Sequence, residues 1–266
     1  MSDDVYEIYA IRYGYHDRRS SECFLGGDPH DQPMPLNYYI WLIRNSARTI
    51  VFDTGFNDRA AAERGRQMVC PVAEGLTSLG VDPGQVEDVV ISHMHYDHAG
   101  NVDLFPNARL HLQDREMEFA TGRCMCHPVM SHSFDPHDVA SVVHRLFGGC
   151  VTFHDGVSEL APGISLHLIG GHSKGLQCMR VKTRRGHVVL ASDAAHFYAH
   201  LQQRRVFPTV YNVGDVLEGY NKLVSLASAT DLVIPGHDPL VMEIYPAAGG
   251  GANGHVVRLD ADPRSS

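Results

Sequence analysis

The chain has 266 residues, with 22 Lys+Arg against 31 Asp+Glu, a formal net charge of -9 and 18 histidines. A hydrophobic fraction of 44% and a charged fraction of 20% exclude disordered and fibrous classes. The acidic balance argues against a nucleic-acid partner, which needs clustered Lys and Arg, and no apolar run approaches the ~20 residues that span a bilayer, so no membrane partner is expected.

In chain order, segments 5–11, 36–43 and 49–52 are rich in Tyr, Ile, Val and Trp and read as strands, the last two joined as a hairpin through Arg44 to Arg48. Segment 14–35 is dense in Gly, Pro and Asp and reads as a long covering loop that also holds Phe24. Leu76 to Leu79 with Gly80 behind them suggest a helix end, and 86–92 a buried strand. Strand 109–113 is followed by helix 114–120 with Asp114 as its cap, then by helix 139–147. Segments 151–154, 164–169, 178–183 and 187–191 are further strands, Arg184-Arg185-Gly186 turning the last pair. Helix 216–227 and strand 232–234 complete the pattern. The length suits one domain over 1–246, and the Gly-rich composition after Pro246 predicts a flexible tail over 247–266.

His93-Met94-His95-Tyr96-Asp97-His98 stands directly after the apolar strand 86–92. Four potential ligands in six residues at a strand end are hard to justify as packing. Imidazole and carboxylate suit zinc and similar divalent ions; alternate residues of an extended segment aim His93 and His95 at one ion, leaving Asp97 and His98 for a second. His172, Asp193 and His237 each follow a short apolar strand in a Gly- or Ser-flanked turn, where a sheet would deliver them to one rim.

The pattern His-x-His-x-Asp-His, followed by His172, Asp193 and His237 at strand ends and preceded by the turn Asp53-Thr54-Gly55, resembles the metallo-β-lactamase superfamily. Leu79-Gly80-Val81-Asp82-Pro83, Ala99-Gly100-Asn101 and Phe105-Pro106-Asn107-Ala108 look like the N-acyl homoserine lactonase group, whose activity is quorum quenching. The resemblance implies an α/β (α+β) fold, a four-layer αββα sandwich. It implies two divalent ions, Zn first with Fe, Mn or Co as alternatives: His93, His95 and His172 would hold one, Asp97, His98 and His237 the other, and Asp193 would bridge them. Asp53 would orient a ligand histidine. A hydroxide between the metals would attack the carbonyl of an acyl homoserine lactone or another small lactone, with Asp97 or Asp193 carrying the proton to the leaving alkoxide. A homodimer is also implied.

Two positions depart from the group's pattern. Its members carry Tyr three residues after the bridging Asp, where this chain has His196, with Tyr198 two further on; His196 can take the hydrogen-bond donor role, the other reading being a surface histidine. The turn Gly170-Gly171-His172 replaces Thr-Pro-Gly-His, and Leu176 stands where a second His is usual. Cys124-Met125-Cys126-His127 is spaced too tightly for a separate zinc site and reads as a loop over the pocket, with Met130 and Phe134 as apolar walls and with Phe24 and Tyr198 as further pocket residues. The alternative functions are a thioester or ester hydrolase of glyoxalase II type and a non-catalytic metal-binding module. The acidic start Met-Ser-Asp-Asp does not resemble a secretory signal, and the six scattered cysteines suggest no disulfide framework, so a cytoplasmic location is expected.

Overall fold

The computed structural model describes residues 4–248 and 254–264. Its strands are β1 (Glu7–His16), β2 (Leu36–Arg44), β3 (Thr49–Phe52), β4 (Gln67–Met68), β5 (Asp88–Val90), β6 (Arg109–Gln113), β7 (Val151–His154), β8 (Val157–Ala161), β9 (Ile164–Leu168), β10 (Gln177–Thr183), β11 (Gly186–Ser192), β12 (Val233–Pro235) and β13 (Val256–Arg258). Its helices are α1 (Ser20–Cys23), α2 (Asp58–Arg64), α3 (Val72–Ser78), α4 (Tyr96–Ala99), α5 (Asp114–Ala120), α6 (Pro128–Ser131), α7 (Pro136–Phe147), α8 (Tyr198–Gln203), α9 (Val213–Leu226) and α10 (Leu240–Ile244). Among the described residues no helix is long and apolar enough to cross a membrane.

One sheet runs β13-β1-β2-β3-β5-β6-β7, with β4 pairing β1; the other runs β12-β11-β10-β9-β8. The continuous apolar run of β2 is explained by burial on both faces. Tyr39, Trp41 and Ile43 point between the sheets, where they meet Leu166, Met179, Leu190 and Ile234. Tyr38, Ile40 and Leu42 point outward into a second core with Leu76 of α3, Phe119 of α5 and Val142 of α7. A third core packs Val216, Tyr220 and Leu223 of α9 against Cys178, Val189 and Val233 of the other sheet. The result is the expected αββα layering.

Topology decides where the chemistry falls. β3, β5 and β6 are parallel, so the chain leaves each at the same edge, delivering Asp53, the segment 92–98 and Glu116 there. In the second sheet β11 and β12 are parallel and β9 runs with them, being antiparallel to β10 as β11 is. His172, Asp193 and His237 therefore leave that sheet at its corresponding edge.

Some sequence expectations are corrected. Strand 86–92 shortens to β5, because from Ser92 the backbone turns to donate to Asp53 at 2.7 Å. Asp114 is the first residue of α5 and caps nothing; the cap position is Gln113, whose side chain makes no cap bond. Segment 14–35 opens as strand to His16 and includes α1. The flexible tail over 247–266 is corrected for 254–264: β13 pairs with β1, Val256, Val257 and Leu259 are buried, and Ile8 N donates to Asp260 Oδ1 at 3.1 Å. The Val-Val pair supplies an apolar edge strand beyond the glycines; residues 249–253 and 265–266 lie outside the described residues.

α7 carries one electrostatic misfit. Asp138 lies in its first turn, where a carboxylate favours the helix dipole, yet the side chain is buried, its Oδ2 has no hydrogen-bond partner and Asp135 stands beside it. Burial first and Asp135 second push the carboxyl up to about 7 from an ordinary 3.8. The folded protein then binds a proton that the unfolded chain releases, so Asp138 lowers stability as pH rises through that interval. Asp138→Asn should gain about 1–2 kcal/mol on the wild type at about pH 8 and little or nothing at about pH 4. Thermal melts at the two pH values check this.

Candidate metal centre

Seven side chains from both sheet edges converge and are buried: His93, His95, Asp97, His98, His172, Asp193 and His237. His196 joins them, so it is no surface histidine; its ring stacks on Phe207 with centroids 3.8 Å apart. The arrangement centres on Asp193, whose two oxygens face different partners. Oδ2 lies 3.2 Å from His172 Nε2, 3.1 Å from His196 Nε2 and 3.9 Å from His93 Nε2. Oδ1 lies 2.9 Å from His237 Nε2 and 3.2 Å from His98 Nε2. Asp97 Oδ2 stands 3.6 Å from His98 and 3.9 Å from His237, while His95 Nδ1 is 2.9 Å from His172 Nε2.

These atoms fit cations better than they fit one another. The buried Nε2 atoms of His93, His98 and His196 and Oδ1 of Asp193 make no hydrogen bond in spite of their closeness. Ligand atoms of His93, His95 and His172 lie within 4.8 Å of one another, and so do those of Asp97, His98 and His237. Buried polar atoms without partners are costly, and nitrogens and carboxylate oxygens directed at two common points are a donor set for divalent ions.

The electrostatics agree. Burial, reinforced by neighbouring imidazoles, holds His93 and His95 well below the ordinary range, keeping them in the neutral ligand form. Burial also opposes charge on His98 and His237, but Asp193 and Asp97, with Asp53 acting on His98 as well, hold both above that range. Asp193 would be raised by burial, yet the ring of His237, His98, His196 and His172 holds it well below the usual carboxylate range. Three carboxylates around imidazoles in a dry site are a field that suits multivalent cations.

Each ligand is fixed from behind. Asp53 Oδ2 receives His98 Nδ1 at 2.8 Å, and also Ser92 Oγ at 2.9 Å and Ser192 Oγ at 3.2 Å. His172 Nδ1 donates to Thr209 O at 2.7 Å and His237 Nδ1 to Asn37 O at 2.8 Å. The residue that sequence reasoning missed is Glu116. Fully buried in α5, it accepts Met94 N at 2.9 Å, Ser173 Oγ at 2.6 Å and Gly175 N at 3.0 Å, tying the His93–His95 segment to the His172 turn. Burial raises its pKa against these three bonds.

The proposed pocket walls divide. The centre adjoins two cavities of about 220 Å³ each, sharing His95, His132, His172 and Thr209. Met130 lines one of them. Phe134 packs edge-on against His95 with ring centroids 4.6 Å apart, supporting the ligand from outside. Phe24 is buried with Cys23, Leu36 and Phe197, and Tyr198 faces a separate cavity of about 810 Å³ with Leu240 and Tyr245; neither reaches the centre. That larger cavity holds no converging ligand set among the described residues, so the smaller cavities mark the site.

Residues 33–242 match the metallo-beta-lactamase superfamily, and the chain belongs to it. Within that superfamily it is similar to the N-acyl homoserine lactonase AttM of Azorhizobium caulinodans, 28% identical over 186 residues, which are 65% of this chain and 66% of the relative. It is similar also to the N-acyl homoserine lactonase AiiB of Agrobacterium fabrum, 29% identical over 187 residues, 61% of this chain and 64% of that one. The aligned stretch thus spans just under two thirds of these relatives. The fold matches the crystal structure of a quorum-quenching N-acyl homoserine lactone lactonase with a TM-score of 0.74 at 22% identity, covering 90% of this chain and 95% of the other. It matches an N-acyl homoserine lactone hydrolase with N-hexanoyl-L-homoserine at its catalytic metal center with a TM-score of 0.73 at 21% identity, covering 90% and 96%.

Glu116 gives the test of this scaffold. Glu116→Ala leaves two backbone amides and a hydroxyl buried without acceptors and should cost about 2–4 kcal/mol. Denaturant unfolding of the metal-free protein reads the loss, and bound metal per chain should fall with it.

Proposed function

We propose that the protein is a dinuclear metal-dependent hydrolase that opens lactone rings, most simply an N-acyl homoserine lactone or another small lactone. One observation carries the reading: the two oxygens of Asp193 face two separate groups of buried imidazole nitrogens, those of His93 and His98 among them having no hydrogen-bond partner. In this reading His93, His95 and His172 would hold one ion and Asp97, His98 and His237 the other, with Asp193 shared between them. All-nitrogen and oxygen ligation suits Zn, with Fe, Mn or Co as alternatives. The named lactonase relatives support the substrate class, and the free cysteines support a reducing, cytoplasmic setting.

Bound divalent ions supply Lewis acidity toward the ester carbonyl and lower the pKa of water toward about 7. The chain's residues do the rest. His98 and His237 are held in one orientation by Asp53 and Asn37 O, and His172 by Thr209 O, so the donor set needs no rearrangement when substrate arrives. His196, clamped on Phe207 and kept neutral by burial, lines the cavity with its Nε2 3.1 Å from Asp193 Oδ2; with a hydrogen on that nitrogen it would donate to the carbonyl oxygen as negative charge develops. Asp97 lines the same cavity and would pass one proton of the attacking water to the ring oxygen as the ester C–O bond breaks, the other proton being lost to solvent, leaving a carboxylate and a hydroxyl. The Phe119, Met130 and Tyr211 side forms an apolar wall for the rest of the substrate.

Asp193→Ala should abolish turnover and lower metal content below two ions per chain, read by proton release from a lactone panel and by elemental analysis. Retained activity would remove the bridging assignment. His196→Ala should keep its metal and lose about 100–1,000-fold in kcat, the range for one oxyanion donor. If wild-type protein carrying two metals hydrolyses thioesters or open esters but no lactone, the substrate assignment passes to a glyoxalase II type of activity; if it hydrolyses none of them, the enzyme reading fails.

A further inference from the structure

The two cavities at the centre are chemically unlike. One is apolar, walled by Phe119, Val129, Met130 and Tyr211. The other gathers three guanidiniums, Arg18, Arg64 and Arg66, from separate segments, together with His16 and Tyr38. Neither Arg64 nor Arg66 is matched to a carboxylate. Arg64 donates to His132 O at 2.7 Å and Phe134 O at 3.1 Å. Arg66 donates to Tyr96 Oη at 2.9 Å, to Arg64 O at 2.7 Å and toward His16 Nε2 at 3.1 Å, which leaves its Nη2 unassigned. Arg18 Nε is buried without a hydrogen bond, 4.0 Å from Glu22, whose side chain is half exposed. Burial together with Arg66 and Arg18 pushes His16 down to about 4, so its imidazole adds no charge to the guanidiniums of this wall, which also holds Glu22. A guanidinium fork with open donors matches an oxyanion bidentately.

Resting on the lactonase reading, we propose that the preferred substrate is a lactone carrying a carboxylate, held by Arg66 with Arg18 and Arg64 in the polar cavity, while its apolar part fills the Phe119, Met130 and Tyr211 side. On a small lactone the oxyanion that reaches such a pocket is a carboxylate. These arginines are specificity residues; the reacting carbonyl stays at the metal centre where the two cavities meet.

The test compares a γ-lactone bearing a ring carboxylate with its methyl ester, using the metal-loaded full chain. Wild type should prefer the acid at least about tenfold in kcat/KM, and Arg66→Met should reduce that ratio about tenfold, chiefly through KM. Because Arg66 also braces Tyr96, Arg18→Gln serves as a second variant with the same expected direction. Binding is read separately by calorimetry with glutarate, whose Kd should rise about tenfold in either variant, and with acetate, which is too short to span metal and arginine and should respond less. Hydrolysis of the neutral ester with no preference for the acid overturns the proposal and leaves the lactonase reading intact. If no lactone is hydrolysed, that reading falls, and glutarate decides: weakened binding in both variants upholds anion recognition, and unchanged binding overturns it.

Discussion

The buried carboxylate of Asp53 is the joint on which the two sheets and the metal centre depend. It is completely shielded from solvent, at the end of β3, with a positive φ of 64° that costs a non-glycine residue strain. Ionised carboxylates are buried only where several donors replace water. Here Ser92 supplies its amide and hydroxyl from the end of β5, Ser192 its hydroxyl from β11 of the opposite sheet, and His98 its Nδ1. Ser192, itself at a φ of 46°, also donates to Ser92 at 2.9 Å. Two strained residues therefore close one network across the sandwich. Its geometric effect is to bring the edges that carry His93 to His98 and Asp193 into register.

From that joint outward, every ligand-bearing loop is tied to another element by a buried polar bond. Glu116 couples the first motif to the His172 turn, Thr209 O and Asn37 O fix two more imidazoles, and Tyr13 donates to Asp97 O at 2.7 Å. Loops are ordinarily the mobile part of a fold. These are held because unpaired polar groups in a dry site are expensive, so loss of one bond exposes the next. The same dryness raises the electrostatic effect of each fixed charge near the reacting atoms.

The legible part of this architecture is the part written locally. Strands with apolar runs ending in His, Asp or Gly marked the residues that the fold brings together, since a strand end plus a donor side chain is visible within a few residues. Asp53 was visible for the same reason. Glu116 was not: an acid in the first turn of an amphipathic helix looks like a solvated dipole partner, and only the packing of α5 under two loops shows three donors aimed at it. Phe24 and Tyr198 were placed in the pocket from their loops' position, but neighbouring apolar side chains drew both into other packing. The edge strand β13 was hidden by the glycines before it, because its partner β1 lies more than two hundred residues away in sequence. The pocket arginines, drawn from segments 18 and 64–66, share no sequence pattern that would unite them.

The overall charge of -9 illustrates the limit of such sums. It weighs against a polyanion covering the surface, since many charges act together over an extended face. It says little about a cavity of about 220 Å³. Exposed charges are screened beyond a Debye length of roughly 8–10 Å in physiological salt, while half-buried arginines a few ångströms from a ligand act through less screening solvent. In that cavity three guanidiniums stand with Glu22, Asp97 and Asp193, and on the proposed ligand set, in which Asp97 and Asp193 would hold cations, Glu22 alone would oppose them. An acidic protein can thus present a positive interior to a small anion, and the discrimination is made at contact distance, where the arrangement of donors decides.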